Sequence, residues 1–367
     1  MSGIHFTPLE LFGAAARCSH LHFVNPALAT PESLMVAALI EQYVDDTSTD
    51  FAILASAGNF KDFVKSYFVG TVAAGLAYLA MIRDGYQWCD HFENVTGGNS
   101  SVTRTPDFVF TGHRRGVALL ESKGTRSSGL SAFESTVEAG YLSQVEPHLG
   151  HLVGGSNATH GFSIGSWMTS ATKAEMLVHH TDVLATSGDE EDLGSPALEV
   201  QRHNYATAMQ LVYGPGLASQ LRTGIIEYVP PMLRFEWLGR QWLVRPRWAG
   251  QSFPGRLYFQ DWWALVAEID DSHSLPFASF AIEESIAKTL FSNFAVGDRP
   301  VARPLELRPV SPDVIERARN DYRGQAGAVF PDGLAIIGWK NRLWRDPPSR
   351  AELVRWDRNA RRFAGDE

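Results

Sequence analysis

Cysteine is scarce: the 367 residues include only Cys18 and Cys89. That pair leaves no room for a disulfide framework or a thiolate zinc centre, and it fits a reducing compartment. Positive charge is short as well. The chain has 32 Lys and Arg against 41 Asp and Glu, a formal net charge of −9, so the overall basic footprint of a general nucleic-acid binder is missing. The shortfall is uneven, because residues 182–199 hold six acidic residues and no basic one, whereas residues 340–367 hold eight basic against five acidic. A local basic face is therefore compatible with the acidic average. The longest apolar run, residues 67–82, is interrupted by Gly70, Thr71 and Gly75 and is expected to fall short of a membrane span. The opening Met1-Ser2-Gly3-Ile4-His5-Phe6 lacks the basic-then-apolar layout of a secretion signal. These absences lead to the expectation of a cytoplasmic protein with no membrane partner. Phosphate-binding glycine loops are missing too, since Gly97-Gly98 and Gly154-Gly155 lack the required context before a helix. Gly161-Phe162-Ser163-Ile164-Gly165 has the letters of a nucleophile elbow but sits in a β-type run, without the strand-to-helix turn that the elbow needs.

What is present describes a folded chain. Hydrophobic residues make up 44% and charged residues 20%, enough apolar surface for one large or two modest cores. Helical signals run from residue 61 to 84, with Gly85 as a stop, and again over 130–149 and 201–221. Strand signals lie at 86–95, 105–110, 116–124, 161–169 and 175–184. Thr30 followed by Pro31 reads as an N-cap and first helical position, and residues 187–195 read as an acidic surface loop. Further on, 233–244 reads as a β-hairpin, 261–270 and 280–293 as helices, a strand pair surrounds Pro331-Asp332-Gly333, and 349–363 reads as a basic helix. The expected organisation is a helical extension over 1–60, an α/β domain over 61–222 with a mixed sheet, and an α+β region over 223–367 for substrate or partner binding.

The chemistry-bearing stretch is Thr105-Pro106-Asp107-Phe108-Val109-Phe110, followed after Thr111-Gly112-His113-Arg114-Arg115 by Gly116-Val117-Ala118-Leu119-Leu120-Glu121-Ser122-Lys123-Gly124. Alternate residues of a strand share a face, so Glu121 and Lys123 point the same way, with Val117 and Leu119 behind them. A face that is apolar until it ends in charge is costly unless a cation or a partner compensates. Pairing of the two runs as a hairpin can bring Asp107 beside Glu121. Two carboxylates and one ammonium at a strand end can hold a hard divalent cation beside an activated water. The plainer alternative is an ordinary hairpin carrying a solvated Glu–Lys pair.

These residues resemble the PD-(D/E)xK nuclease superfamily, with Pro106-Asp107 as its "PD" and Glu121-Ser122-Lys123 as its "(D/E)xK". The likeness spans roughly residues 61–184, in the family's order of helix, three strands, helix and strand. It implies an α/β, restriction-endonuclease-like mixed sheet flanked by helices; the additional α+β C-terminal region is read from the residues alone and lies outside the likeness. It also implies that Asp107, Glu121 and the Ser122 carbonyl ligate Mg²⁺, for which Mn²⁺ can substitute, and that Lys123 orients or deprotonates the attacking water. Gln144 is a candidate to hold that water or a phosphate. The helix at 130–149 also places Glu134, Glu138 and Tyr141 on one face. A supporting acid ahead of the sheet is less evident: the 61–84 helix offers Asp62 and Asp84, and Glu93 is a further candidate, with a plain surface glutamate as the alternative.

The expected activity is Mg²⁺-dependent hydrolysis of phosphodiester bonds by a DNA endonuclease, with a bacterial restriction or anti-phage defence system as the fold-level context. The expected partners are DNA, a protein partner subunit and a second copy in a homo-oligomer. The alternative is a non-catalytic scaffold with the nuclease fold that serves another defence or DNA-processing subunit. A third reading draws on His148, His151, His160, His179 and His180 with Asp182 as a zinc site, although these residues fall in different elements. Finally, Arg350, Arg355, Arg358, Arg361 and Arg362, interleaved with Leu353, Trp356 and Phe363, can track a phosphate backbone or dock on an acidic partner.

Overall fold

The computed structural model describes residues 4–19, 29–45, 50–112, 116–126, 129–181, 197–245, 277–294, 305–320, 327–339 and 352–365. The expected acidic loop at 187–195 and helix at 261–270 lie outside them. The chain divides into two compact units, Met1–Phe23 with Leu39–Asn204, and Val24–Ala38 with Tyr205–Glu367. This differs from the expected boundaries at 60/61 and 222/223. The first residues are not an extension, because helix α1 (Pro8–Ser19) packs along α3 (Asp62–Arg83). A capping box starts α1: the Glu10 N–H donates to Thr7 Oγ1 at 3.2 Å, and the Thr7 N–H donates back to Glu10 Oε2 at 2.7 Å. Helix α2 spans Ala29–Tyr43, so it begins a residue ahead of the expected Thr30 cap.

Helix α3 starts with Asp62 and ends with Arg83, each charge placed to complement the helix dipole. Gly85, at φ 96°, closes it. The Tyr86 N–H donates to the Met81 carbonyl and the Gly85 N–H to the Ile82 carbonyl, both at 3.1 Å, the paired bonds of a Schellman stop. Gly70 and Gly75 do not interrupt the helix. By length and composition it is long and apolar enough to cross a bilayer, contrary to the expectation, and half of its apolar stretch is buried within the fold.

The first unit is built on a mixed sheet. Strand β1 (Trp88–His91) pairs antiparallel with β2 (Phe108–Gly112), which pairs antiparallel with β3 (Gly116–Thr125). Helix α4 (Leu130–Gly140) then leads to β4 (Leu152–Val153) and β5 (Ser156–Trp167). Strand β5 runs parallel to β3, and β6 (Glu175–His180) pairs antiparallel with β5. The β2–β3 hairpin follows from a short polar loop, whereas β1 and β2 are joined by the longer stretch 92–107, and the parallel return follows from the intervening helix. The two faces of β3 are covered from opposite sides. Gly124 lies against Val69 and Ala73 of α3, while Glu121 and Lys123 lie against Gly140 of α4. Val109, Val117, Leu119, Tyr141 and Val145 form a core under the α4 side.

Helix α4 is shorter than the expected 130–149 span. A π-turn over Tyr141–Val145 and a 3₁₀ turn over Glu146–His148 follow it. The helix expected at 201–221 is two helices, α5 (Leu198–Val212) and α6 (Pro215–Thr223), because Gly214 at φ 112° and the proline after it break the run.

The second unit contains an antiparallel sheet whose strands are β7 (Met232–Trp237), β8 (Arg240–Val244), β9 (Phe277–Glu283), β10 (Gly327–Val329), β11 (Leu334–Trp339), β12 (Glu352–Asp357) and β13 (Arg362–Gly365). Their order across the sheet is β10-β11-β9-β8-β7-β12-β13. The hairpin expected at 233–244 and the strand pair around Asp332 are both present. Two expectations are corrected. The segment containing Phe280 is strand, and the helix after it spans Glu284–Phe294. The basic segment expected as a helix at 349–363 is the β12–β13 hairpin, where Val354 and Phe363 are buried and Arg355 and Arg362 are exposed, a period of two, not of 3.6.

Candidate functional site

The α4-facing row of β3 runs Val117, Leu119, Glu121, Lys123, and solvent access rises along it. Val117 and Leu119 are fully buried. The Glu121 side chain is 1% exposed and that of Lys123 is 30% exposed. The row thus leaves the core through a buried carboxylate and reaches solvent at an ammonium.

Asp107 comes one residue before β2, where the β2–β3 register places it beside the end of the row. Its Oδ2 accepts from the Ser122 N–H at 2.9 Å. Lys123 Nζ donates to Glu121 Oε1, and Gln144 Nε2 donates to the same oxygen at 2.5 Å. The other oxygen, Glu121 Oε2, is buried without a hydrogen-bond partner among the described residues. Asp107, Glu121, Ser122, Lys123 and Gln144, singled out in the sequence, are therefore gathered at one corner of the sheet.

Glycines make the convergence with α4 possible. A Cβ on Gly140 would stand 3.2 Å from Ser163 Oγ and 3.3 Å from both Glu121 Cγ and Lys123 Cε. On β5, Gly165 faces Val137, whose Cγ2 would be 2.3 Å from a Cβ there, and Gly161 faces Val145 at 2.4 Å. Bare backbone at these positions lets helix and sheet close together. The π-turn follows directly and carries Gln144 onto Glu121; such widened turns recur at functional sites.

Burial pushes Glu121 up to about 7, and the charge of Asp107 adds to the rise, against the opposing pull of Lys123 and Gln144. Burial likewise raises Asp107 above the usual carboxylate range. The Ser122 N–H, Lys123 and His91 act against that rise, and Glu93 adds to it. Both shifts share their largest cause, burial away from water.

Other sequence candidates fall elsewhere. Glu134 and Glu138 are exposed on α4, and the Tyr141 hydroxyl pairs with Thr181 Oγ1 at 2.8 Å. Asp62 opens α3 and Asp84 caps its far end. Glu93 lies exposed in the turn after β1, and its charge raises Asp107. His148 is structural: Nδ1 accepts from the Asn99 N–H at 3.0 Å and Nε2 donates to the Arg104 carbonyl at 2.9 Å. The histidines do not assemble a zinc site, since among the described residues no three His, Cys, Asp or Glu side chains gather around one point.

Two features escaped sequence reading. Ser163 is Glu121's partner in the parallel register, fully buried with its hydroxyl unpartnered among the described residues; the glycines on either side were its signal. Asp90 is also fully buried, and its Oδ2 pairs with His203 Nδ1 at 2.6 Å across 113 residues of chain, a separation no local pattern reveals.

The same two-carboxylate count bears on a cation. Mg²⁺ prefers oxygen, keeps several waters and takes further oxygens from main chain and substrate phosphate, so two carboxylates are a sufficient protein share. The partnerless Oε2 of Glu121, buried beside Asp107, fits that donor set. Comparison of the chain with models of protein families, with curated proteins and with solved structures gives no match.

Proposed function

We propose that the first unit is a restriction-endonuclease-like domain that hydrolyses phosphodiester bonds in DNA with the help of Mg²⁺ held by Asp107, Glu121 and the Ser122 carbonyl. The observation that carries this reading is the meeting, at the end of β3, of Asp107, held by the Ser122 N–H, with Glu121, whose Oε1 is held by Lys123 and Gln144. The element order, with two antiparallel pairings and then a parallel return after a helix, supports it further.

Each residue has a distinct task. Lys123 and Gln144 both hold Oε1 of Glu121, which fixes the carboxylate and leaves Oε2 for a cation. Asp107 is oriented by the Ser122 N–H and supplies the second anionic oxygen. Bound there, Mg²⁺ would activate a water and offset negative charge on the phosphoryl oxygens. Lys123, the exposed end of the row, is placed to orient the attacking water and to screen the charge that builds on the phosphate in the transition state. Gln144 keeps the carboxylate from rotating as that charge moves.

Incubation of purified protein with plasmid and linear DNA tests the assignment. Cleavage should require Mg²⁺ or Mn²⁺, and Lys123→Ala and Asp107→Ala should each lower its rate by about 10²-fold or more. Cleavage that survives both changes would remove the assignment. A wild type inert with either metal would favour a nuclease-like fold used as a scaffold.

A further inference from the structure

The basic hairpin of the second unit is not accounted for by this chemistry. Its inner face is an aromatic anchor: Trp356 and Phe363 lie opposite each other with centroids 5.2 Å apart, and Phe291 packs on both at 5.6 and 5.8 Å. The ribbon is thereby held firmly from one side. Its outer side and its tip carry Arg355, Arg358, Arg361 and Arg362, all exposed.

The two acids of the ribbon are engaged locally. Asp357 Oδ1 accepts from the Asn359 and Ala360 N–H groups at 2.8 and 3.0 Å and so shapes the turn. Glu352 Oε2 accepts from Arg234 Nη2 at 2.6 Å. Arg358 donates to the Ile226 carbonyl at 3.3 Å. Arg361 and Arg362, by contrast, have no hydrogen bond or ion pair to a described residue. Two adjacent guanidinium groups thus project from the ribbon without an ion pair to a described residue; Asp357, opposite Arg362 in the register, turns its Oδ1 to the N–H groups of the turn.

Backbone conformation adds an independent sign. Arg361 sits at φ 50°, in the left-handed region, where glycine or asparagine is the inexpensive choice. A long side chain kept at such a position is strain retained for the sake of the side chain. Solubility alone does not require an arginine there.

We propose that the β12–β13 hairpin grips the phosphate backbone of nucleic acid through Arg361 and Arg362. The choice of nucleic acid over an acidic protein rests on the proposed function, which makes DNA the substrate. It also fits the chemistry, since closely spaced planar guanidinium forks match the evenly repeated oxygens of a phosphate backbone, and two-stranded ribbons fit nucleic-acid grooves.

The test is fluorescence anisotropy of a labelled DNA duplex with the full chain in EDTA, over a series of salt concentrations, so that binding is read without cleavage. Wild type should bind. Arg361→Glu with Arg362→Glu should weaken binding by about tenfold or more and flatten the log–log salt slope by about two. Arg361→Lys with Arg362→Lys should retain most of the affinity. Arg361→Gly should raise Tm while weakening DNA binding, a combination that misfolding cannot produce. An unchanged affinity and slope in the charge-reversed variant would overturn the proposal, as would a wild type that ignores DNA at low salt or binds poly-glutamate equally well. Because cleavage is never read, loss of the nuclease assignment and loss of this one are separate results.

Discussion

Glu121 is buried among groups that oppose one another. Desolvation and the Asp107 charge favour its neutral form, while Lys123 and Gln144 favour the carboxylate, and the first pair prevails, lifting its pKa from the ordinary 4.5 to about 7. The sign of the consequence follows. Between about 4.5 and 7 the folded state keeps a proton that the unfolded chain has released, so the metal-free protein loses stability as pH rises through this window. Asp107, also raised, acts in the same direction. Glu121→Gln cannot ionise. Metal-free thermal or urea unfolding should therefore show it gaining on wild type from pH 4.5 to pH 8, by on the order of 1–3 kcal/mol. Cation affinity should show the reverse trend, because protons compete for the same oxygens. Mn²⁺ binding should strengthen up to about pH 7 and level off above it. A flat profile across neutrality would place the cation away from Glu121.

At the scale of elements, legibility in the sequence tracked how local the cause is. The 105–124 hairpin could be read because alternation and a short polar loop are local signals, and α3 because its stop is written in Gly85. Four of the five gathered side chains lie within the 18 residues from Asp107 to Gly124, which is why their gathering is legible in the sequence. Gln144 was visible only as a candidate, since the π-turn that delivers it has no clear sequence signature. The C-terminal hairpin is masked in the sequence because its arginine spacing imitates a basic helical face and obscures the inward alternation of Val354 and Trp356. The role of Gly161 and Gly165 went unread because close approach of helix to sheet is a tertiary demand.

That demand can be measured. Gly165→Ala would put a methyl 2.3 Å from Val137 Cγ2 and 2.9 Å from Phe133 Cε1, and should cost about 1–3 kcal/mol by overpacking. Gly140→Ala has a different balance. Alanine favours the helix by about 1 kcal/mol, while its methyl meets Ser163, Glu121 and Lys123 at 3.2–3.3 Å. Thermal melts should find it close to wild type, and DNA cleavage should fall at least several-fold. A variant as active as wild type would mean that the Gly140 contact does not constrain the site.

On the scale of the whole molecule, two units divide the chain, and the gathered carboxylates belong to the first, on a sheet covered by α3 on one face and α4 on the other. The second unit contributes an antiparallel sheet edged by the arginine hairpin. Under the proposed function, DNA would meet local positive surface on a chain of net charge −9, so added salt should weaken the local phosphate contacts while screening the opposing mean field. The account rests most heavily on a divalent cation binding between Asp107 and Glu121. Titration of the full chain with Mn²⁺, followed by electron paramagnetic resonance at pH 7.5, measures this directly. The account predicts about one tightly bound ion per chain, lost in both Asp107→Asn and Glu121→Gln. Absence of binding, or binding unaltered in the two variants, would contradict it.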